Sequence, residues 1–538
     1  MHSGDIPGWG PTTPEEIARR RAARRREERL RRQRLRRKRT LQAGGLAGAL
    51  ALLLIVTGGA GGHRHFARHA GSFTWAADFG GTQPSLADEN RHSGTTAWRL
   101  PGGQARGSIA GYVAAESLRP GELQRLYVRA LAARWLRVDV YRMGWYGGRG
   151  GRLVLASRRL PSRAQPACPR ERQTGLVECR WHATLSFRVP AGLPSGVYVA
   201  KLTSSTGAQR DSMFVVESRR PRPLLAQLAT ATYQAYNAWG GDSLYPGGRP
   251  VGVTGTTQGV MVSYDRPYQT VTGAGRLFAG DVGMVRFVER EGYDGSYTTD
   301  SSVDTRPAQV EGHRMLLDIG HSEYWSGRAA DAWRRARDGG TNLAFLASNT
   351  MAWRVRYAGV GHRIVAYKEH VAGDPDQRLP TGLFPLGGAP ITGTSWQRCV
   401  TPKYQALGRA IYHYYAWRPG ATLEPAWLFL GTGFAPASQV NGIVGYELDR
   451  SSIASPLGTQ VVGTGTTPCL GGRPPIGVSQ STLYQAPSKA LVFSSGTMGW
   501  ELGLSPVPEA SPDAPRRADP RLVRLTENLF ARMLAPGG

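Results

Sequence analysis

Met315-Leu316-Leu317-Asp318-Ile319-Gly320-His321-Ser322-Glu323-Tyr324-Trp325-Ser326 is the stretch whose reading decides the fold. Its first five residues form a short apolar run of the kind that makes a buried strand. The pattern turns helical from Gly327 to Asp338, with Gly339 and Gly340 as the stop and Ser326 as the expected N-cap. A second apolar run, Asn342-Leu-Ala-Phe-Leu-Ala-Ser-Asn349, follows at once. Strand, helix, strand at this spacing is a βαβ unit, and hence a parallel sheet. His321 and Glu323 thus fall on the turn between a strand's carboxyl end and a helix N-terminus, where open α/β sheets bind ligands. Read in isolation, the turn is equally a surface loop in which Glu323 caps the helix and Trp325 packs nearby.

Working outward, Leu224-Leu-Ala-Gln-Leu-Ala reads as a strand, Met284 to Gly292 as a helix and Tyr297-Thr-Thr-Asp as a further strand. Beyond Ala352 the chain looks irregular and glycine-rich to about Pro487, an insertion expected to cover one face. Leu491-Val-Phe-Ser-Ser returns to strand character, and Leu522 to Leu534 reads as a closing helix. Upstream, from Phe73 to Val216, short alternating runs separated by Gly, Pro and Ser turns are all-β and predict a sandwich. Ser218-Arg-Arg-Pro-Arg-Pro is a charged hinge between the two textures.

The formal net charge of +28 points to nucleic acid only if it is concentrated on a folded surface. The dense block is residues 1–40, with fourteen Arg or Lys against five Asp or Glu; the remaining +19 is spread over the rest of the chain with no comparable block, and only five of the 67 basic residues are lysines. Directly after this basic segment, Leu41 to Ala60 carries no charge and is about the length needed to cross a ~30 Å hydrocarbon core. An arginine-dense flank stays cytoplasmic. The expectation is therefore a basic cytoplasmic segment over 1–40, an uncleaved transmembrane helix over 41–61 and a linker over 62–72. A β-sandwich over 73–217 and an α/β domain over 223–538 then lie outside the cell membrane, with no nucleic-acid partner. Four cysteines allow three connectivities, and proximity favours Cys168 with Cys179 and Cys399 with Cys469. No Cys/His spacing suggests zinc.

Three stretches stand out together: Tyr141-Arg-Met-Gly-Trp-Tyr-Gly-Gly-Arg-Gly-Gly-Arg-Leu-Val, Thr232-Tyr-Gln-Ala-Tyr-Asn-Ala-Trp-Gly-Gly-Asp-Ser-Leu-Tyr, and Gly320-His-Ser-Glu-Tyr-Trp-Ser. With Ser195-Gly-Val-Tyr and Leu346-Ala-Ser-Asn, they resemble the large subunit of the N,N-dimethylformamidase family over roughly residues 75–535. The resemblance implies an all-β domain followed by a glutamine-amidotransferase-like α/β domain. It also implies hydrolysis of a small amide at a mononuclear iron (Fe3+) held by two tyrosines and a glutamate. Carried over by motif, the glutamate ligand is Glu323 and the tyrosines are Tyr236 and Tyr198, with Tyr233 as the competitor for the second place. His321, Asn349 and Glu447 are the implied catalytic residues, and a homo-oligomer or a small partner subunit the implied assembly.

These residue types suit that chemistry, because ferric iron is a hard Lewis acid and phenolate and carboxylate are hard oxygen donors. His321 could shuttle a proton to the leaving amine and Asn349 could donate to the developing oxyanion. Ser322 is a poor nucleophile candidate, since G-x-S-x-G is absent. The alternative function is a non-catalytic surface protein with a degenerate α/β domain that binds glycan or protein through the tryptophans after residue 352.

Overall fold

A computed structural model describes residues 72–101, 108–245, 258–406, 409–470, 475–507 and 512–536. The runs between Phe73 and Val216 form two sheets. Phe73–Trp75, Gly151–Ser157, Trp135–Met143, Gly196–Ser204, Gln209–Val216 and Ser117–Leu118 lie side by side in that order, with Leu160–Pro161 paired to Trp135–Met143. Ile109–Val113, Leu123–Ala130 and Leu185–Arg188 make a smaller antiparallel sheet. Between them lies an apolar layer that includes Leu126, Val128 and Phe187 from one sheet and Val138, Val140, Ala200 and Phe214 from the other. The alternate residues Tyr141, Met143, Val197, Val199 and Met213 face the opposite way, into a core shared with Leu224, Ala226 and Phe287. The larger sheet is therefore packed on both faces, and the charged residues within its strands, such as Arg142, are buried with partners.

The second core is built on a nine-stranded sheet. Gly295–Thr299, Leu224–Leu228, Met315–His321, Asn342–Ser348 and Leu491–Ser494 are parallel neighbours in that order. Helix Gly327–Asp338 crosses from Met315–His321 to Asn342–Ser348, burying Trp333 against Leu316 and Phe345 on one face. Helices Val282–Arg290, Trp500–Leu504 and Pro520–Leu534 pack their apolar faces on the other. The sheet continues through antiparallel strands Ile476–Gln485, Gln460–Pro468, Tyr415–Pro419 and Val440–Val444. These four strands, within the stretch read from sequence as an irregular cover, are thus part of the sheet. Their sequences, such as Gln-Val-Val-Gly-Thr-Gly-Thr-Thr-Pro, are rich in Gly and Thr and lack the apolar alternation that marks a strand. Trp417 and Trp500 lie fully buried in this core, which removes them from any surface-binding role.

The expected class, a transmembrane helix followed by a sandwich and an amidotransferase-like α/β domain, needs correction. The described chain is predominantly β, and among the described residues no helix is long and apolar enough to cross a membrane. The longest, Pro520–Leu534, has 15 residues, and at 1.5 Å per residue about 20 are needed. It is amphipathic: Leu522, Leu525, Leu529 and Phe530 are buried, while Arg521, Arg524 and Arg532 are not. The expected span over 41–61 lies outside the described residues. Single-pass membrane attachment, and the extracytoplasmic location that rests on it, are not supported. Both proposed disulfides are present, Cys168–Cys179 and Cys399–Cys469.

Candidate metal centre

The opening stretch occupies the carboxyl edge of the parallel sheet. Met315–His321 is buried along its whole length, and the chain then reverses to pair Tyr324–Ser326 with Trp353–Ala358. Gly320 makes this possible. Its φ is 74°, and a Cβ there would sit 2.4 Å from Asp281 Oδ1, so only glycine fits. Ser326 caps the following helix by accepting from the Ala329 amide at 3.0 Å, while Glu323 points away from that helix and is 2% exposed. The capping-loop reading of Glu323 fails on burial.

Glu323 is the hub of the site. Tyr236 donates to its Oε2 at 2.9 Å, Tyr245 to both oxygens at 2.7 and 2.8 Å, and the Trp353 indole to Oε1 at 2.9 Å. The two tyrosine rings stack at 4.3 Å between centroids. His321 Nε2 lies 3.5 Å from Glu323 Oε2 and 3.1 Å from Glu447 Oε2, and Tyr446 Oη is 3.3 Å from its Nδ1. Asn349 closes the ring with its Nδ2 3.5 Å from His321 Nε2. The Asn349 backbone has a φ of 56°, a left-handed conformation that asparagine tolerates, and its amide is held by Asp449 Oδ1 at 2.8 Å.

Of the six residues expected from sequence, His321, Glu323, Glu447, Asn349 and Tyr236 are brought together and Tyr198 is not. Tyr198 lies in the sandwich core, where it stacks on Phe214 and its hydroxyl donates to the Pro194 carbonyl at 2.6 Å. A strand tyrosine with its hydroxyl satisfied inside a hydrophobic layer is a packing residue. Tyr233, its competitor, donates to Asp281. The tyrosine that faces Glu323 beside Tyr236 is Tyr245, the last residue of the quoted Thr232–Tyr245 stretch. The local aromatic density was the available signal. Lys368 was also missed: its ammonium sits 3.6 Å from the Tyr245 ring centroid and 4.7 Å from that of Trp353.

The electrostatics are those of a dry, acidic site. Burial pushes the His321 imidazole down to about 3 and the Glu447 carboxyl up to about 7. Glu323 is raised by burial and by the nearby Glu447 charge. Burial and the Glu323 carboxylate hold both Tyr236 and Tyr245 well above the ordinary phenol range. His321, Glu323 and Glu447 each offer a ligand atom, all within 4.8 Å of one another, so the group can hold a metal ion.

Residues 137–514 match the family model described as N,N-dimethylformamidase beta subunit-like, C-terminal. The chain belongs to this family. Among curated proteins it is similar to the N,N-dimethylformamidase beta subunit of an Alcaligenes species, with 25% identity over 219 residues. That match covers 34% of this chain and 28% of the relative, so the chain spans well under half of the relative's length. Family membership accounts for the order of the motifs, and it puts the buried Glu323 hub at the centre of the shared region.

Proposed function

We propose that this chain is an amide hydrolase with a mononuclear ferric centre held by Tyr236, Tyr245 and Glu323. The observation that carries this reading is the convergence of two phenols on one buried carboxylate. Both hydroxyls point at that carboxylate, where a cation would lie, and burial together with the carboxylate's charge holds both phenols protonated. A trivalent cation reverses the sign of the local field and is balanced by two phenolates and one carboxylate. These are the hard oxygen donors that suit ferric iron. When bound, such an ion supplies Lewis acidity to an amide carbonyl and to water.

The remaining residues have roles that follow from their positions. His321 is neutral at ordinary pH and shares a proton with Glu447 at 3.1 Å, a pair suited to carry a proton from water to a leaving amine. Asn349 presents its amide to the same space and donates to the carbonyl oxygen as charge develops. Tyr446 orients the imidazole from its Nδ1 side. The aromatic walls formed by Tyr236, Tyr245, Trp353 and Tyr446 suit a small, uncharged amide. A second subunit is proposed from the name of the relative, which is itself a beta subunit.

Purified protein should contain about one iron per chain and show a visible phenolate-to-iron absorption. Tyr236→Phe and Tyr245→Phe should each weaken or shift that absorption and the double variant should lose it, all three keeping the circular dichroism of a folded protein. An ion held by His321, Glu323 and Glu447 alone would give iron without the band. A protein that binds no metal and hydrolyses no formamide or acetamide would defeat the proposal.

A further inference from the structure

The Gly-Gly-Asp-Ser-Leu-Tyr end of the Thr232–Tyr245 stretch is gripped from outside the α/β core. The grip is the loop closed by Cys168–Cys179, which belongs to the all-β part of the chain. Arg170, near one end of the loop, reaches Asp242 Oδ2 with its Nε at 2.9 Å, and Asp242 is 1% exposed. At the loop tip the Thr174 carbonyl accepts from the Val260 amide at 2.8 Å, and Gly175 lies against both Gly259 and Asp242. A Cβ on Gly175 would come 2.7 Å from Gly259 Cα and 2.8 Å from Asp242 Oδ2, at a φ of 74°. The opposing Gly240 and Gly241 pass under Val177 and Arg170 with equally little room.

The base of the loop is pinned as firmly. The Cys179 amide donates to Asp265 O at 2.7 Å, and Glu178 pairs with Arg363 at 2.6 Å. The Asp242–Tyr245 segment then runs three residues to the phenol. Its Leu244 amide donates to Ala235 O at 3.0 Å, which ties it to the residue before Tyr236. The disulfide spans a sequence separation of 11, so the loop is ordered before it meets the segment, and holding the segment costs it little further entropy.

We propose that the Cys168–Cys179 loop is a strap that positions Tyr245, with Arg170 acting through Asp242. Residues behind a metal ligand set its orientation, and their loss typically weakens metal binding by about tenfold or more. The inference rests on the reading of Tyr245 as an iron ligand. Without the strap, the segment keeps the Leu244 bond to Ala235 and the Asp242 carbonyl's bond from Arg266 at 3.0 Å, but the Asp242 side chain loses its Arg170 anchor. Tyr245 then samples positions away from Tyr236 and Glu323.

The test uses the full chain with Arg170→Gln, with the pair Cys168→Ser and Cys179→Ser, and with Arg137→Gln as a control in a half-buried ion pair of the all-β sheet. Two quantities are read: iron bound per chain under competition with a chelator, and hydrogen exchange of the peptide spanning Asp242–Tyr245. The strap predicts iron affinity lowered about tenfold or more in the first two variants, with faster exchange confined to that peptide and no change in Arg137→Gln. Unchanged exchange in that peptide overturns the strap whether or not wild-type protein holds iron. Faster exchange with wild-type iron affinity overturns its role in the centre. Absence of iron from wild-type protein overturns the proposed function separately, and the exchange measurement still decides the strap.

Discussion

Two buried clusters of charge, one bridging the all-β and parallel-sheet cores and one at the carboxyl edge of the parallel sheet, are built oppositely. In the first, Arg142 and Glu289 are both fully buried and pair twice, at 2.8 and 2.9 Å. The leftover donors of Arg142 go to the Ser195 carbonyl and Tyr146, and the leftover oxygens of Glu289 accept from Asn90 and Tyr297. Every charge has an opposite and every lone pair a donor. In the second, Glu323 and Glu447 face one neutral imidazole, and Glu323 is met by phenols and an indole with no arginine in contact. The first is complete as a protein structure, as buried ion pairs must be. In the second, Lys368 and Arg276 act on the carboxylates only through space and neither makes an ion pair with them, so Glu323 and Glu447 lack the direct cationic partner that Glu289 has, the mark of a place suited to bind something else.

Breaking each cluster should separate the two kinds. Glu323→Ala should abolish iron binding and amide hydrolysis while the protein still unfolds cooperatively; iron analysis beside a denaturation curve checks both halves. Arg142→Ala strands Glu289 in the core and should destabilise the fold by about 3–5 kcal/mol, read as a lower denaturant midpoint. It should leave the absorption of the iron centre in the remaining folded protein unchanged. Asn349→Gly keeps the left-handed backbone and removes the amide donor. The expected result is a kcat lower by about 10²–10³-fold with KM and stability little altered.

The smallest effect is a pH dependence of the metal-free protein. Glu447 is raised from 4.5 to about 7 by burial, so the folded state holds a proton that the unfolded state releases. Stability from this group is full below about pH 4.5 and is lost as pH rises toward 7, an effect on the order of a few kcal/mol. Glu447→Gln should flatten that fall in a urea titration run between pH 5 and 8, whereas Arg142→Ala should leave its shape intact.

Much of this molecule was legible before any fold was described. The apolar run at Met315, the capped helix at Gly327 and the run at Asn342 are local signals of strand, helix and strand. They placed His321 and Glu323 at the carboxyl edge of a parallel sheet. Cysteine proximity gave the disulfides, because the 11-residue separation of Cys168 and Cys179 makes that closure cheap and leaves Cys399 to Cys469 across 70 residues. The strands between Tyr415 and Gln485 were not legible, since their Gly and Thr content hides alternation and their order comes from pairing with an existing sheet edge.

The sequence by itself determined the sheet edge on which His321 and Glu323 stand, and the resemblance carried by its motifs singled out Glu323 there. Only the tertiary structure decided which tyrosines belong there. Tyr198 stands in Gly-Val-Tyr-Val-Ala and Tyr245 in Asp-Ser-Leu-Tyr-Pro, and neither local pattern tells a packing phenol from one that faces a carboxylate. Tyr198 ends on the Pro194 carbonyl inside the sandwich, and Tyr245 on Glu323. That distinction is a matter of where a chain returns through space, set by a glycine-lined turn and a salt-bridged loop far upstream, and no periodicity of the chain records it.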